Sequence, residues 1–390
     1  MGRRRVITFV VVTIWSTIDC AADWSSLQRY QQTISRTEFE TLLSHVYCPS
    51  GALTNYLTFE TNSVAVFSTS DRTNLLFTLR FSSSASSVAP HAMTFRRIAL
   101  DPGHIGGEWA RIEERFFQRG KDRSVQEAVL TLTVARLLKT RLEAKGAEVF
   151  LTKNDFEPVT DKRPEDFRTQ AERETPLARF DVFPPLEREA ARADAVRKRA
   201  ETLFYRGSEI AARANLLNEK IKPDLTICLH VNAVEWDECQ NLVDDNRLVV
   251  FVHGDYLASE LKDDDQKFRL FFKLLERSHP MEQTVAESIA SALAEATELP
   301  PIEYGPSSGA IHIGDNPYVF ARNLAANRLI NGPVVFLEPY YQNNRVAYER
   351  IQLGDYDGTR DVGGIPMKSI YREYADAVAE GLSRFIAPSR

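Results

Sequence analysis

The chain has 390 residues, a formal net charge of -6 and 43% hydrophobic residues. That length allows two or three domains and is ample for a buried core. Acids and bases are interspersed and never gather into a basic stripe, which argues against nucleic acid as a partner.

The chain opens with MGRRRVITFVVVTIWSTIDCAAD: three Arg, an apolar run from Val6 to about Ile18, then small residues. Basic, apolar and small in that order is the pattern of a secretory signal peptide, here residues 1–22 with cleavage after Ala22. The run falls short of the roughly 20 residues that a bilayer span needs. An N-terminal anchor is the alternative. The expectation is an exported chain of the periplasm or cell envelope, with no stable membrane span once the leader is gone. Without Cys20, three cysteines remain, Cys48, Cys228 and Cys239. An odd number leaves at least one unpaired or intermolecular. Cys228 and Cys239 can pair, but spacing alone does not show it. With no CxxC pair, a Cys metal site is not expected.

Residues 24–80 read as a small α+β domain. SRTEFETLLSHVY puts Phe39, Leu42, Leu43 and Val46 on one helical face. YLTFET, SVAVFS and NLLFTLRF then read as three short strands separated by turn residues. Residues 81–94, rich in Ser, Ala and Pro, read as a linker.

From residue 95 to 390 strands and helices alternate. RIALD, AEVFLT, LTICLH, RLVVFVH and PVVFLEP are continuous apolar runs that suit strands covered on both faces. Helices are expected at 124–145, about 209–220, 282–298 and 369–386. The pattern predicts an α/β fold: a mixed, mostly parallel sheet flanked by helices, preceded by the small α+β unit. Charged helical insertions at about 155–205 and 255–281 interrupt it. Each is either a solvated surface element or a lid.

Three strand ends carry chemistry. RIALD leads through Asp101 to His104, LTICL ends at His230, and PVVFL ends at Glu338. In an open parallel sheet, ligands bind beyond the carboxyl ends of the strands. A third ligand is needed, and Glu127 opens the helix after the first strand. Ser124 and Glu127 fit a capping box, a sufficient structural reason for that Glu; a first-turn Glu at the sheet mouth also reaches a metal beside His104. Glu108, Glu113 and Glu114 in the preceding loop compete for the role. Two His and one Glu form the ligand set of hydrolytic zinc sites, and one carboxylate beside the metal, Glu338, can serve as both base and acid. Asp101 and Asn232 are candidates to orient a ligand or bond substrate. His91, His253, His279 and His312 lack this combined signal, although His253 also ends an apolar strand.

These residues resemble the zinc-dependent N-acetylmuramoyl-L-alanine amidases. IALDPGHIGG is similar to the family's DPGHGG motif. EAVLTLTVARLLKTRLEAKGAEVFLTK, RANLLNEKIKPDLTICLHVNA and GPVVFLEPYYQNN resemble its next three blocks, in order, over roughly residues 96–345. The resemblance implies one zinc ion held by His104, Glu127 and His230, with Glu338 as the catalytic carboxylate. It implies hydrolysis of the amide between the lactyl group of N-acetylmuramic acid and L-alanine in peptidoglycan. Some relatives carry a helix that blocks the site until a partner displaces it, so an activator protein is an expected partner if an insertion does so here. The departures are Ile105 in place of Gly after the His, a long loop from His104 to Glu127, and Tyr340 in place of Gly after the Glu, which is expected to narrow the pocket or change substrate preference. Two rival functions remain open from sequence: a non-catalytic relative that binds peptidoglycan, and a zinc amidohydrolase or peptidase acting on another amide.

Overall fold

A computed structural model describes residues 22–83, 94–234, 241–305 and 308–386. The expected signal peptide before Ala22, the middle of the expected linker, His91 and Cys239 lie outside the described residues.

The N-terminal unit holds helix α1 (Arg36–Leu42) and strands β1 (Leu57–Phe59), β2 (Ser63–Phe67) and β3 (Leu75–Arg80). The strands form an antiparallel sheet in the order β1-β2-β3. Period-2 alternation turns Val64 and Val66 inward. Ser35 caps α1 by accepting the amide of Glu38.

The rest of the chain runs through β4 (Arg97–Pro102), β5 (Phe116–Phe117), β6 (Val125–Gln126), α2 (Glu127–Ala144), β7 (Glu148–Leu151), α3 (Arg168–Glu174), α4 (Pro185–Thr202) and α5 (Glu209–Asn215). It continues with β8 (Leu225–Leu229), β9 (Leu248–His253), α6 (Asp264–Glu276), α7 (His279–Thr297), β10 (Ile311–His312), β11 (Val319–Arg322), α8 (Ala325–Leu329) and β12 (Val334–Pro339). Last come α9 (Arg345–Leu353), β13 (Thr359–Val362), β14 (Ile365–Lys368) and α10 (Ile370–Leu382). Seven strands form one sheet in the order β10-β11-β9-β12-β8-β4-β7. β7, β4, β8 and β12 are mutually parallel; β9 runs antiparallel to β12 and parallel to β11. The sheet is mixed and mostly parallel, as the alternation of strands and helices predicts.

Both faces are covered, which explains the unbroken apolar runs. Ile98, Leu100, Ile227, Leu229, Val335 and Leu337 face one core, against α2, α7 and α10. Ala99, Cys228, Val249, Phe251, Val334 and Phe336 face the other, with Ala214 of α5 and Ala326 of α8. Cys228 is fully buried, and burial pushes its thiol well above the usual range.

Several elements differ from the sequence-based expectation. The chain at 185–221 is helical throughout, because α4 passes into α5 through a π segment at Leu203–Ser208 and α5 ends in another at Leu216–Ile221. Strand β11, four residues long, and helix α9, nine residues long, are not among the elements expected from the sequence. The insertion at 255–281 packs against the N-terminal unit. Its helix α6 lies under the N-terminal unit: Phe271 meets Trp24 and Phe39 at ring-centroid distances of 5.9 and 5.7 Å. Lys267 Nζ donates to the Ser68 carbonyl, and Tyr47 Oη donates to the Lys273 carbonyl. The N-terminal unit therefore shares one continuous apolar core with the sheet layer.

Phe271 is fully buried at that junction. Phe271→Ala should lower unfolding free energy by about 3–5 kcal/mol, measured by denaturant titration; a loss under 1 kcal/mol would show that the aromatic seam does not hold the unit in place.

Candidate metal centre

The three strand ends named from sequence are neighbours, because β12, β8 and β4 are adjacent and parallel. Gly103 N donates to the Leu229 carbonyl and His230 N to the Leu337 carbonyl, so the ladder continues into the turns that carry the side chains. His104, Glu127 and His230 each offer a ligand atom, and the three atoms lie within 4.8 Å of one another. The Glu127 Oε2 atom is 3.1 Å from His104 Nε2, and its Oε1 is 3.0 Å from His230 Nδ1. Only 5% of the Glu127 side chain is exposed. Burial alone would push that carboxyl up; the two imidazoles outweigh burial and hold it well below the usual carboxylate range.

The expected capping box does not form. Helix α2 begins at Glu127 itself, after a Gln126 that makes no side-chain cap bond. The antiparallel pair β5–β6 carries the chain extended up to that point, so Glu127 opens the helix instead of sitting one turn in. Its Oε1 accepts the amide of Val231 instead.

Two local features fix the imidazoles. A Cβ on Gly103 would lie 2.3–2.6 Å from three ring atoms of His230, so that ring rests on bare backbone. On its other face, Phe336 stacks at 4.2 Å and 16°. His104 has φ +65°, the left-handed region that side chains rarely adopt. Buried cations pin that turn. Arg213 donates to the carbonyls of Pro102 and His104, both at 2.9 Å, and Lys153 donates to those of His104 and Ile105. Burial, with Arg213 nearby, brings the Lys153 ammonium down to about 7. Glu113 accepts the amide of Ile105 at 3.0 Å, and its carboxylate lies 3.6 Å from His104 Nδ1. It braces the far side of the first His, the position from which a carboxylate orients a ligating imidazole.

The remaining candidates separate. Glu108 and Glu114 are exposed. Asp101 touches no imidazole: it accepts from Thr152 Oγ1 at 2.5 Å and faces Arg213 at 3.4 Å, and so acts on His104 only through Arg213. Asn232 accepts the amide of Ala233 and lines the cleft. Tyr340 does not narrow the pocket. With φ +62° it turns away from the cleft, buried, donating to Glu373 and packing on Tyr374. His253 lies at the opposite edge of the sheet, because β9 runs against β12; it is buried and bonded to Tyr256.

Glu338 faces the same cleft, partly buried, and its carboxylate has no hydrogen bond among the described residues. Burial raises its pKa, with His230 and Arg322 pulling the other way. The cleft, of about 480 Å³, is walled by Arg115 and Phe116 of the long loop, by Tyr205 and Arg206 at the end of the first insertion, and by α8. The π segment turns Tyr205 and Arg206 toward it. Sequence reasoning gave no role to Arg213, Lys153 or Arg115. A single basic residue on a helix or loop reads as a solvated charge, and nothing in one sequence marks which ones bury. The donor set, two imidazole nitrogens and a buried carboxylate, fits a hydrolytic divalent-metal site.

A family model described as N-acetylmuramoyl-L-alanine amidase matches residues 98–360. Among solved structures, the Ami1 N-acetylmuramyl-L-alanine amidase of Mycobacterium smegmatis is 15% identical, with a TM-score of 0.40, covering 76% of this chain and 98% of that one. The CwlD amidase of Clostridioides difficile, solved in complex with the GerS lipoprotein, is 14% identical, with a TM-score of 0.39 and coverage of 74% and 98%. The catalytic domain of CwlV from Bacillus (Paenibacillus) polymyxa is 15% identical, with a TM-score of 0.37 and coverage of 74% and 96%. Comparison with curated proteins found no match.

Gly103→Ala should drive the His230 ring from its place. We expect a loss of roughly 1–3 kcal/mol in stability and a fall in bound metal measured by elemental analysis; full metal content in the variant would show that the ring does not need bare backbone beneath it.

Proposed function

Because this chain belongs to the N-acetylmuramoyl-L-alanine amidase family, we propose that it cuts the amide between the lactyl group of N-acetylmuramic acid and L-alanine in peptidoglycan, with His104, Glu127 and His230 holding one zinc ion. The observation that carries this reading is the convergence of those three ligand atoms within 4.8 Å, at a cleft that Glu338 also faces.

When bound there, zinc supplies Lewis acidity toward a carbonyl oxygen and a water. The protein's own groups do the rest. Glu338 takes a proton from the attacking water on a carboxylate oxygen and returns it to the departing amine nitrogen, so one group serves both transfers. It suits this role because its carboxylate is not tied up by a neighbour, and partial burial makes it more basic than a solvated Glu. Glu113 holds His104 by its Nδ1 edge, which leaves Nε2 for the metal. Phe336 and the α8 wall shield one side of the cleft from water. Hydrolysis of a peptidoglycan amide requires export, and the leader expected from sequence at residues 1–22 agrees with that destination. No described helix is long and apolar enough to cross a membrane.

Glu338→Ala should reduce release of stem peptides from purified peptidoglycan by at least about a thousandfold while keeping one zinc per chain. Mass spectrometry of the digest reads this directly, and normal release would remove Glu338 from the mechanism. Release of intact stem peptides from unbroken glycan by the wild type would separate this reading from a binding protein and from a peptidase. The exported chain should begin at Asp23; an intact leader would favour an anchored form.

A further inference from the structure

Arg115 is the unusual group at this centre. It sits in the long loop between His104 and Glu127, with 38% of its side chain exposed. Its Nε lies 3.3 Å from Glu127 Oε2, the oxygen that is also 3.1 Å from His104 Nε2. One carboxylate oxygen therefore faces both a ligand nitrogen and a fixed cation. The two buried cations of the region are engaged elsewhere. Arg213 is held by Glu209 at 2.7 Å and spends its remaining donors on carbonyls, as does Lys153. Arg115 has Glu127 as its only side-chain ion-pair partner among the described residues; its Nη1 also donates to the Glu114 carbonyl at 3.1 Å, and the side chain borders the cleft.

From this geometry we propose that Arg115 is a charge competitor for the metal: its guanidinium and a divalent cation are rivals for the same oxygen of Glu127. The inference rests on the ligand assignment above. A cation held by His104 and Glu127 repels a guanidinium at that distance, so metal binding must turn Arg115 away from Glu127 and into the cleft. The loop permits this. Glu114, the residue before it, already has φ +58°, and the Arg115 backbone is anchored through its amide to the Ala110 carbonyl, so the side chain moves without the turn. The consequence is a site whose affinity is set below what its three ligands alone would give. It exchanges metal more readily than the same ligands would without the cation, and it delivers a cation to the substrate side of the cleft only when loaded.

The test is a zinc titration of the purified protein against a chromophoric chelator, for wild type, Arg115→Gln and Arg115→Lys. Side-chain exposure makes loss of fold in these variants easy to check by thermal unfolding. Removing the charge should tighten zinc binding by roughly tenfold, an effect moderated by solvent screening. Arg115→Lys keeps the charge and should stay within about threefold of wild type. A purely structural role would instead weaken zinc binding in both variants, and that result overturns the proposal. Equal affinity in wild type and Arg115→Gln overturns it as well, with the ligand assignment intact. No zinc bound by the wild type overturns the ligand assignment and the proposal together.

Discussion

Burying a carboxylate costs several kcal/mol unless donors surround it, and Glu127 is buried at the bottom of a cleft. It meets that demand with two imidazoles, the Val231 amide and Arg115. Much of the surrounding architecture follows from keeping those donors in place. The β5–β6 pair delivers the chain extended, so that α2 starts at Glu127. The adjacency of β4 and β8 brings the two His-bearing turns to the same carboxylate. Gly103 exists as Gly because the second imidazole occupies the space a side chain would take.

The same demand explains the strained turn at His104. A left-handed backbone on a non-glycine residue costs on the order of 1–3 kcal/mol and persists only where neighbours over-determine it. Here four backbone groups are clamped: the carbonyls of Pro102, His104 and Ile105 by Arg213 and Lys153, and the Ile105 amide by Glu113. Arg213 is itself buried and is satisfied in turn by Glu209 and Asp101, and Asp101 accepts from Thr152. The acids and bases that read as a scattered set along the chain are thus one network, and its output is the direction of a single imidazole.

The two charged insertions show how little sequence composition says about placement. Both are helical and amphipathic. One ends in a π segment that aims Tyr205 and Arg206 at the cleft. The other buries its apolar stripe against Trp24 and Phe39, at the far end of the molecule's larger core. The first packs its helices α3 and α4 into a small cluster of its own, and the second joins the core of the sheet layer, a choice that composition does not reveal.

By itself the sequence determined the class of fold and pointed to the strand ends where the candidate site lies. Continuous apolar runs require strands covered on both faces, and His104, His230 and Glu338 fall at the ends of three such runs, where an open parallel sheet gathers ligands. Periodicity and position are local properties, so one chain reveals them. What only the tertiary structure decided were the non-local matters. Strand direction put His253, another His at the end of an apolar strand, on the opposite edge. Backbone sign at residue 340 turned Tyr340 out of the cleft and into the core. Burial separated Glu113 from Glu114, neighbours in sequence, into a brace and a solvated charge. Arg213 and Lys153 became part of the site because burial, not residue type, decides whether a cation must find acceptors, and burial is a property of the packed chain.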